Sequence, residues 1–246
     1  MAQQYHEFFN PAQADKFNEA IGKKDSTFEL TYFGLHGLGN TAREIIYASG
    51  GKVKNIIVTD ENWAEKKPFA PFGLVPLLKE ISSDGTVVQV AESDSIERYL
   101  SRKFGLFGDN AFEETVVNTF VSNISGLLSD LIQKYFNLSE AEREAKKESV
   151  FNDVVAPWIK HHERHLTANK SNGHYVGNKL TLADIKSSYA IASILAIAPE
   201  GTISESKTPG LWNLKNTVDK IPSLAAWRAT DEYKEFQAEN IKLLGF

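Results

Sequence analysis

Cysteine is missing from all 246 residues of the chain. Its absence excludes disulfide staples, thiolate metal sites and every mechanism in which the protein's own thiol attacks a substrate. If sulfur chemistry takes place on this chain, the sulfur arrives with a substrate. Long apolar runs are missing too. None approaches the roughly 20 residues that span a bilayer, and the N-terminus has no apolar signal core, so a cytoplasmic protein without a membrane span is expected. The third thing lacking is surplus positive charge. A net charge of −5 gives no general pull toward nucleic acid or anionic membranes, so an anionic ligand needs a local positive site.

What is present suits two cores, since domains are mostly about 100–150 residues long. The chain is organised around Phe28-Glu-Leu-Thr-Tyr32-Phe-Gly-Leu-His-Gly-Leu-Gly-Asn-Thr-Ala-Arg-Glu-Ile-Ile-Tyr47. Phe28, Leu30 and Tyr32 alternate as a strand does, Gly34, Gly37 and Gly39 break it, and Ala42, Ile45, Ile46 and Ala48 return at helical spacing. Asn40 and Thr41 are expected as N-caps of that helix, which should stop at Gly50-Gly51. Tyr32 then stands at the carboxyl end of a strand, facing a helix N-terminus, a place that suits an anion such as a thiolate or carboxylate.

Before this stretch, residues 1–26 read as an appended extension with a helix from about Pro11 to Ile21, Phe8, Phe9, Phe17, Ala20 and Ile21 lining one face. After it, Val53 to Val58 makes a second strand and closes a β-α-β unit. Asp60 to Pro68 is a loop with a short helical turn. Pro76 opens an apolar strand, Ser82-Ser-Asp84-Gly85-Thr86 is a hairpin turn, Val87 to Val90 returns antiparallel, and Ser93 starts a helix with Ile96, Tyr99 and Leu100 on its core face. Gly105 to Ala111 reads as a linker. Beyond it the pattern is helical throughout, with capping boxes at Ser139-Glu-Ala-Glu142 and Thr181-Leu-Ala-Asp184 and a possible kink at Pro157.

These features resemble a cytosolic glutathione transferase of the tyrosine-type, sigma-like kind. The residues that carry the resemblance are Leu30-Thr-Tyr32-Phe33, Val75-Pro76, Glu92-Ser93 and the Gly177-Asn-Lys-Leu-Thr181-Leu-Ala-Asp184 box, in that order over about residues 28 to 240. The resemblance implies an α/β plus all-α fold: a thioredoxin-like four-stranded mixed sheet with helices over 27–104, a linker at 105–111 and an all-helical domain over 112–246. It implies glutathione as co-substrate, a small hydrophobic electrophile as second substrate, a homodimer, a role in detoxification, no tightly bound cofactor and no metal.

The resemblance also assigns residues. Tyr32 matches the catalytic tyrosine, whose hydroxyl donates to the sulfur of glutathione. A free thiol of pKa about 8.5 is a few per cent ionised at neutral pH, and lowering it by about two units corresponds to ~2.7 kcal/mol, within reach of a phenolic donor and a helix N-terminus. Phe33, Trp63, Lys67, Val75, Glu92 and Ser93 match the glutathione site. Trp63 and Lys67 take the glycine carboxylate, the Val75 backbone pairs with the cysteinyl part, and Glu92 and Ser93 take the γ-glutamyl end. The electrophile pocket is expected between the domains, from Leu35, His36, Phe120, Ile124 and Leu128 with the terminal Phe246.

Two departures stand out. The segment from His36 to Glu44 is a few residues longer than the family's, which displaces Arg43 and makes Asn40 and Thr41 rival donors to sulfur. Asn118 stands near where sigma-like chains carry an aspartate that crosses the dimer. Two other signals are read as structural: His161 and His165, four apart on a helix, are a solvated face, and Gly37-Leu-Gly39 fails the dinucleotide pattern because Ala42 occupies the last glycine position. The alternatives to a conjugating enzyme are a non-catalytic binding or scaffold protein on the same fold and a specialised glutathione-dependent isomerase or prostaglandin-type synthase.

Overall fold

Alternation in Thr27–Phe33 produces β1, whose buried residues are Phe28, Leu30 and Tyr32, while the residues between them stay partly exposed. The computed structural model describes residues 10–244; Phe8, Phe9 and Phe246 lie outside them. A 3-10 turn at Pro11–Gln13 and α1, Ala14–Gly22, precede the strand.

After β1 a 3-10 turn, Gly37–Gly39, leads into α2, Asn40–Ala48. The N-cap is Gly39, and Asn40 and Thr41 are already helical and buried. This corrects the capping expected of them: the glycine turn enters the helix with helical dihedrals, so no extended cap position exists for either side chain to occupy. Next come β2, Val53–Val58, and α3, Asp60–Lys66, the latter longer than the expected turn because Thr59 and Asn62 form a capping box. The Val75–Pro76 peptide is cis and is followed by β3, Leu77–Ile81; β4 is Val87–Ala91, and α4 is Ser93–Phe104.

The sheet order is β2-β1-β3-β4. β1 and β2 run parallel, and β3 pairs antiparallel with both β1 and β4. The register decides where function can sit. Phe33 pairs with Val58, Thr31 with Leu77, and Leu77 with Ala91, so the residues just past these pairs emerge along one end of the sheet.

The chain divides into two units. The first runs to Phe104 and includes Ala226–Glu239; the second holds Gly105–Ala225 and the residues from Asn240 on. The segment 226–239, expected within the helical domain, clusters with the sheet because Trp227, Tyr233 and Phe236 pack around His36 and Tyr47.

The second unit is helical. α5 spans Ala111–Leu131 and runs into a π-helical turn, Ile132–Phe136. α6, Glu140–Val150, opens on the Ser139 capping box. A π-helical turn, Phe151–Val155, then precedes α7, Ala156–Ala168, so Pro157 falls in the first turn of a helix, where its missing N–H costs nothing. α8, Leu182–Leu195, starts at the Thr181 box and is almost wholly buried, and α9, Pro209–Asp219, packs on α7 and α8. Glu163 on α7 accepts from the Gly210 and Leu211 N–H groups at 2.8 and 2.9 Å, capping α9 across a long sequence gap. α10, Pro222–Arg228, and α11, Asp231–Leu244, follow, with residues 226–239 belonging to the first unit.

Candidate functional site

Tyr32 is 7% exposed on the core face of β1. Its hydroxyl oxygen accepts the Leu38 N–H at 3.0 Å, which leaves the phenolic proton free to be donated. Burial pushes the phenol pKa up, opposed by that N–H and by the Arg43 charge, so the residue is a neutral donor at physiological pH.

Arg43, fully buried on α2, shapes the turn above the tyrosine. It donates to the carbonyls of Leu35 at 2.8 Å, His36 at 3.3 Å and Phe33 at 3.5 Å, and to Asn55 Oδ1 at 2.7 Å. Its guanidinium lies 4.5 Å from the Phe236 ring and 5.8 Å from the Tyr32 ring. Arg43 is thus a holder of main chain around this turn.

The other residues assigned to glutathione arrive through the register. Val75 and Pro76 lie immediately before Leu77, and Glu92 and Ser93 immediately after Ala91, so both pairs share the sheet end that carries Tyr32 and Phe33. Glu92 is exposed and has φ 68°, a costly conformation for a side-chain-bearing residue, held at the entry to α4 where its carbonyl accepts the Ile96 N–H at 2.9 Å. Trp63, on α3 after the end of β2, is half-buried. Lys67 is exposed, with its stem lying against Gly73. Asn40 and Thr41, the rival sulfur donors, are 1% and 3% exposed.

The residues expected in the electrophile pocket divide by exposure. Leu35 is partly exposed. His36 is 1% exposed, 4.3 Å from the Tyr233 ring and edge-on to Trp227 and Phe236; burial and the Arg43 charge lower its pKa to about 3. Ile124 and Leu128 are buried on α5. Phe120 stacks on Tyr175 at 4.2 Å and lines a groove of about 840 Å³ in the helical unit, together with Trp158, His161, His162, Arg164 and His165. His36 and Ile124 therefore offer a ligand no open surface. Asn118 donates to the Glu114 carbonyl at 3.0 Å, along its own helix.

His161 and His165 are exposed, and among the described residues no three histidine, cysteine or acidic side chains gather as metal ligands. His162 is buried, its ring nitrogens 2.5 Å from Tyr175 Oη and 2.8 Å from Asn123 Oδ1, its ring stacked on Trp158 at 3.9 Å, and burial lowers its pKa to about 3. The signal was in the spacing: Trp158, His162 and Leu166 repeat every four residues on the buried face of α7.

A thioredoxin-like sheet unit with Tyr32, Val75-Pro76 and Glu92-Ser93 along one strand end, joined in sequence to an all-helical unit, defines the class of protein. Residues 127–231 match the model of the glutathione S-transferase C-terminal domain. Glutathione S-transferase 1 of Ascaris suum is 33% identical over 209 residues, covering 82% of this chain and 95% of that protein. Hematopoietic prostaglandin D synthase of Gallus gallus is 29% identical over 203 residues, covering 81% and 94%. Among solved structures, a sigma class GST of Fasciola hepatica superposes with a TM-score of 0.73 at 25% identity, over 85% of this chain and all of that one. The chain belongs to the glutathione transferase family of enzymes.

Proposed function

We propose that this protein binds glutathione along the strand ends of its sheet unit, holds the thiol as a thiolate against Tyr32, and transfers the sulfur to a small hydrophobic electrophile. The observation that supports this best is the register row: Tyr32, Val75-Pro76 and Glu92-Ser93 stand at one end of adjacent strands. Strands lie about 4.8 Å apart, so β1 to β4 spans about 10 Å, the length of an extended tripeptide. The γ-glutamyl carboxylate goes to the N-terminus of α4 and Ser93, the γ-glutamyl ammonium to Glu92, and the cysteinyl backbone to Val75. The glycine carboxylate goes to Trp63 and Lys67. Phe33 flanks the sulfur site beside Tyr32. Of the residues assigned to the electrophile, Leu35 keeps exposed surface beside this row.

In the reaction the glutathione thiol gives its proton to water, Tyr32 keeps its own and donates a hydrogen bond to the sulfur, and the thiolate attacks the electrophilic carbon. Halide or another leaving group departs with the bonding pair, or an addition product takes up a proton. The enzyme works as a cytoplasmic, sigma-like homodimer in detoxification. Among the described residues no helix is long and apolar enough to cross a membrane.

Glutathione-affinity capture followed by turnover of an aromatic halide tests the reading. Tyr32→Phe is expected to lower turnover by about ten- to a thousandfold, the range for losing one donor to a developing anion, with the thermal midpoint little changed. Full activity in that variant, with loss on Asn40→Ala or Thr41→Ala, overturns the donor assignment. Because one relative is named a prostaglandin D synthase, isomerisation of a prostaglandin endoperoxide is the second reaction to assay. Failure to retain glutathione leaves the scaffold reading.

A further inference from the structure

The cations of the helical unit are not evenly matched. Lys134 pairs with Asp130, Lys179 with Asp109 and Lys215 with Asp219. Lys160 and Arg164, four apart on α7, and Lys207, shortly before α9, are exposed, and among the described residues none of these three forms an ion pair. All three line a second groove of the helical unit, of about 490 Å³, whose apolar lining is Phe151, Ala156 and Ile159. The one carboxylate there, Glu163, is committed elsewhere. Its two oxygens accept the N–H groups that open α9, and its charge is set against that helix's positive end. Glu205, the carboxylate nearest to Lys207 in sequence, does not line the groove. Three uncompensated positive charges therefore surround an apolar trough, on a chain whose net charge is −5.

The dimensions narrow what can fill it. The α7 residues of the lining run from Ala156 to Thr167, about 16 Å of helix axis at a rise of about 1.5 Å per residue. Spread over that length, the volume is a trough about 5–6 Å across, room for one row of side chains. A single small anion would use one cation and leave most of the trough wet. A nucleic acid backbone would run past this patch onto a chain of its own sign of charge. We propose that the groove is a docking site for an acidic amphipathic helix of a partner protein, lying along α7 with its apolar row against Phe151, Ala156 and Ile159 and its carboxylates on Lys160, Arg164 and Lys207. Apolar side chains at i, i+3, i+4 and i+7 fill a groove of this kind, and the carboxylates beside them select the partner by charge. Every residue of the groove belongs to the second unit, so the docking requires nothing of Tyr32 or of glutathione.

The test titrates the full chain into a fluorescein-labelled peptide four helical turns long, with leucine at i, i+3, i+4 and i+7 and glutamate between, and reads anisotropy at low and high salt. Two controls keep its length: the same residues in scrambled order, and lysine in place of glutamate. The ordered glutamate peptide should bind, less tightly as salt rises, and both controls should bind at least about tenfold more weakly. Lys160→Gln and Lys207→Gln, which touch this groove alone, should each weaken binding by about two- to fivefold, the range of an exposed ion pair. Ala156→Asp, a side chain that suits the first turn of a helix, should cost more, because it puts a carboxylate into the trough. His161→Gln alters the neighbouring groove and should change nothing. Unchanged thermal midpoints in these variants separate lost binding from lost folding. Equal binding of the scrambled peptide, no binding at about 1 mM peptide, or wild-type affinity in both lysine variants and in Ala156→Asp overturns the proposal. If sedimentation shows subunits parting on Lys160→Gln or Lys207→Gln, a second copy fills the groove and the proposal fails as well.

Discussion

The two ends of the sheet each bury a cation and use it differently. At the Tyr32 end, Arg43 points its planar donors at the carbonyls of a turn and fixes the shape of the main chain there. At the opposite end, Glu80 on β3, paired with Phe28 and Val88, is fully buried and accepts from Lys103 at 2.8 Å, Tyr99 Oη at 2.7 Å and Ser26 Oγ at 2.5 Å. Lys103 itself is 2% exposed and also donates to the carbonyls of Ala20 at 2.6 Å and Lys23 at 2.5 Å. The Phe17 ring meets Tyr99 edge-on at 5.7 Å beside this cluster. One cation therefore shapes a turn beside Tyr32, and the other fastens the N-terminal helix to the sheet. The first end should govern chemistry and the second stability.

The largest effect expected is at the second end. Glu80→Ala leaves the Lys103 ammonium buried without its carboxylate, at a cost of about 3–5 kcal/mol, read as a fall in the denaturant midpoint. Glutathione affinity of the molecules that remain folded should be unchanged, and an equal loss of affinity would break the contrast between the ends. Acid provides the next test. His36 at the Tyr32 end and His162 in the helical unit are held neutral with pKa values of about 3, whereas the unfolded chain titrates them near 6.5. Below that unfolded value the unfolded state binds protons that the native state refuses. Their stabilisation is therefore whole above pH about 6.5 and declines by about 1.4 kcal/mol per pH unit for each histidine as pH falls toward 3. His36→Phe, among aromatic neighbours that tolerate an apolar ring, should remove one such share of the slope, measured from denaturant midpoints between about pH 6 and 4. The smallest effect belongs to the exposed flank of the sheet. Lys54 meets Glu29 at 3.2 Å in a solvated pair, and Lys54→Ala should cost under about 1 kcal/mol and less in high salt.

How much of this could be read beforehand follows the range of the forces. β2 occupies Val53–Val58 as its apolar run proposed, and the boxes at Ser139 and Thr181 cap α6 and α8, because alternation and capping are local chemistry. Tyr32, Val75-Pro76 and Glu92-Ser93 fall at one sheet end, which local pattern and family likeness together anticipated. The Leu38 N–H had no signal, since every residue but proline offers one and only the path of the turn aims it. Ala226–Glu239 looked like any amphipathic stretch, and nothing in its spacing says that Trp227 stacks on Tyr47 at 4.6 Å. The Glu80 and Lys103 pair was equally silent, because two charges 23 positions apart read as surface until the fold buries them.

Lys103 also bears on how the protein can be handled. A recombinant version begun at Ser26 would keep every strand, every residue of the Tyr32 row and the partnership with Glu80. Its lysine would nevertheless lose the two carbonyl acceptors supplied by Ala20 and Lys23. The stretch before the sheet is thus a chock wedged under α4, and shortening the polypeptide there exposes a charged pocket to water while leaving Tyr32 and its neighbours untouched.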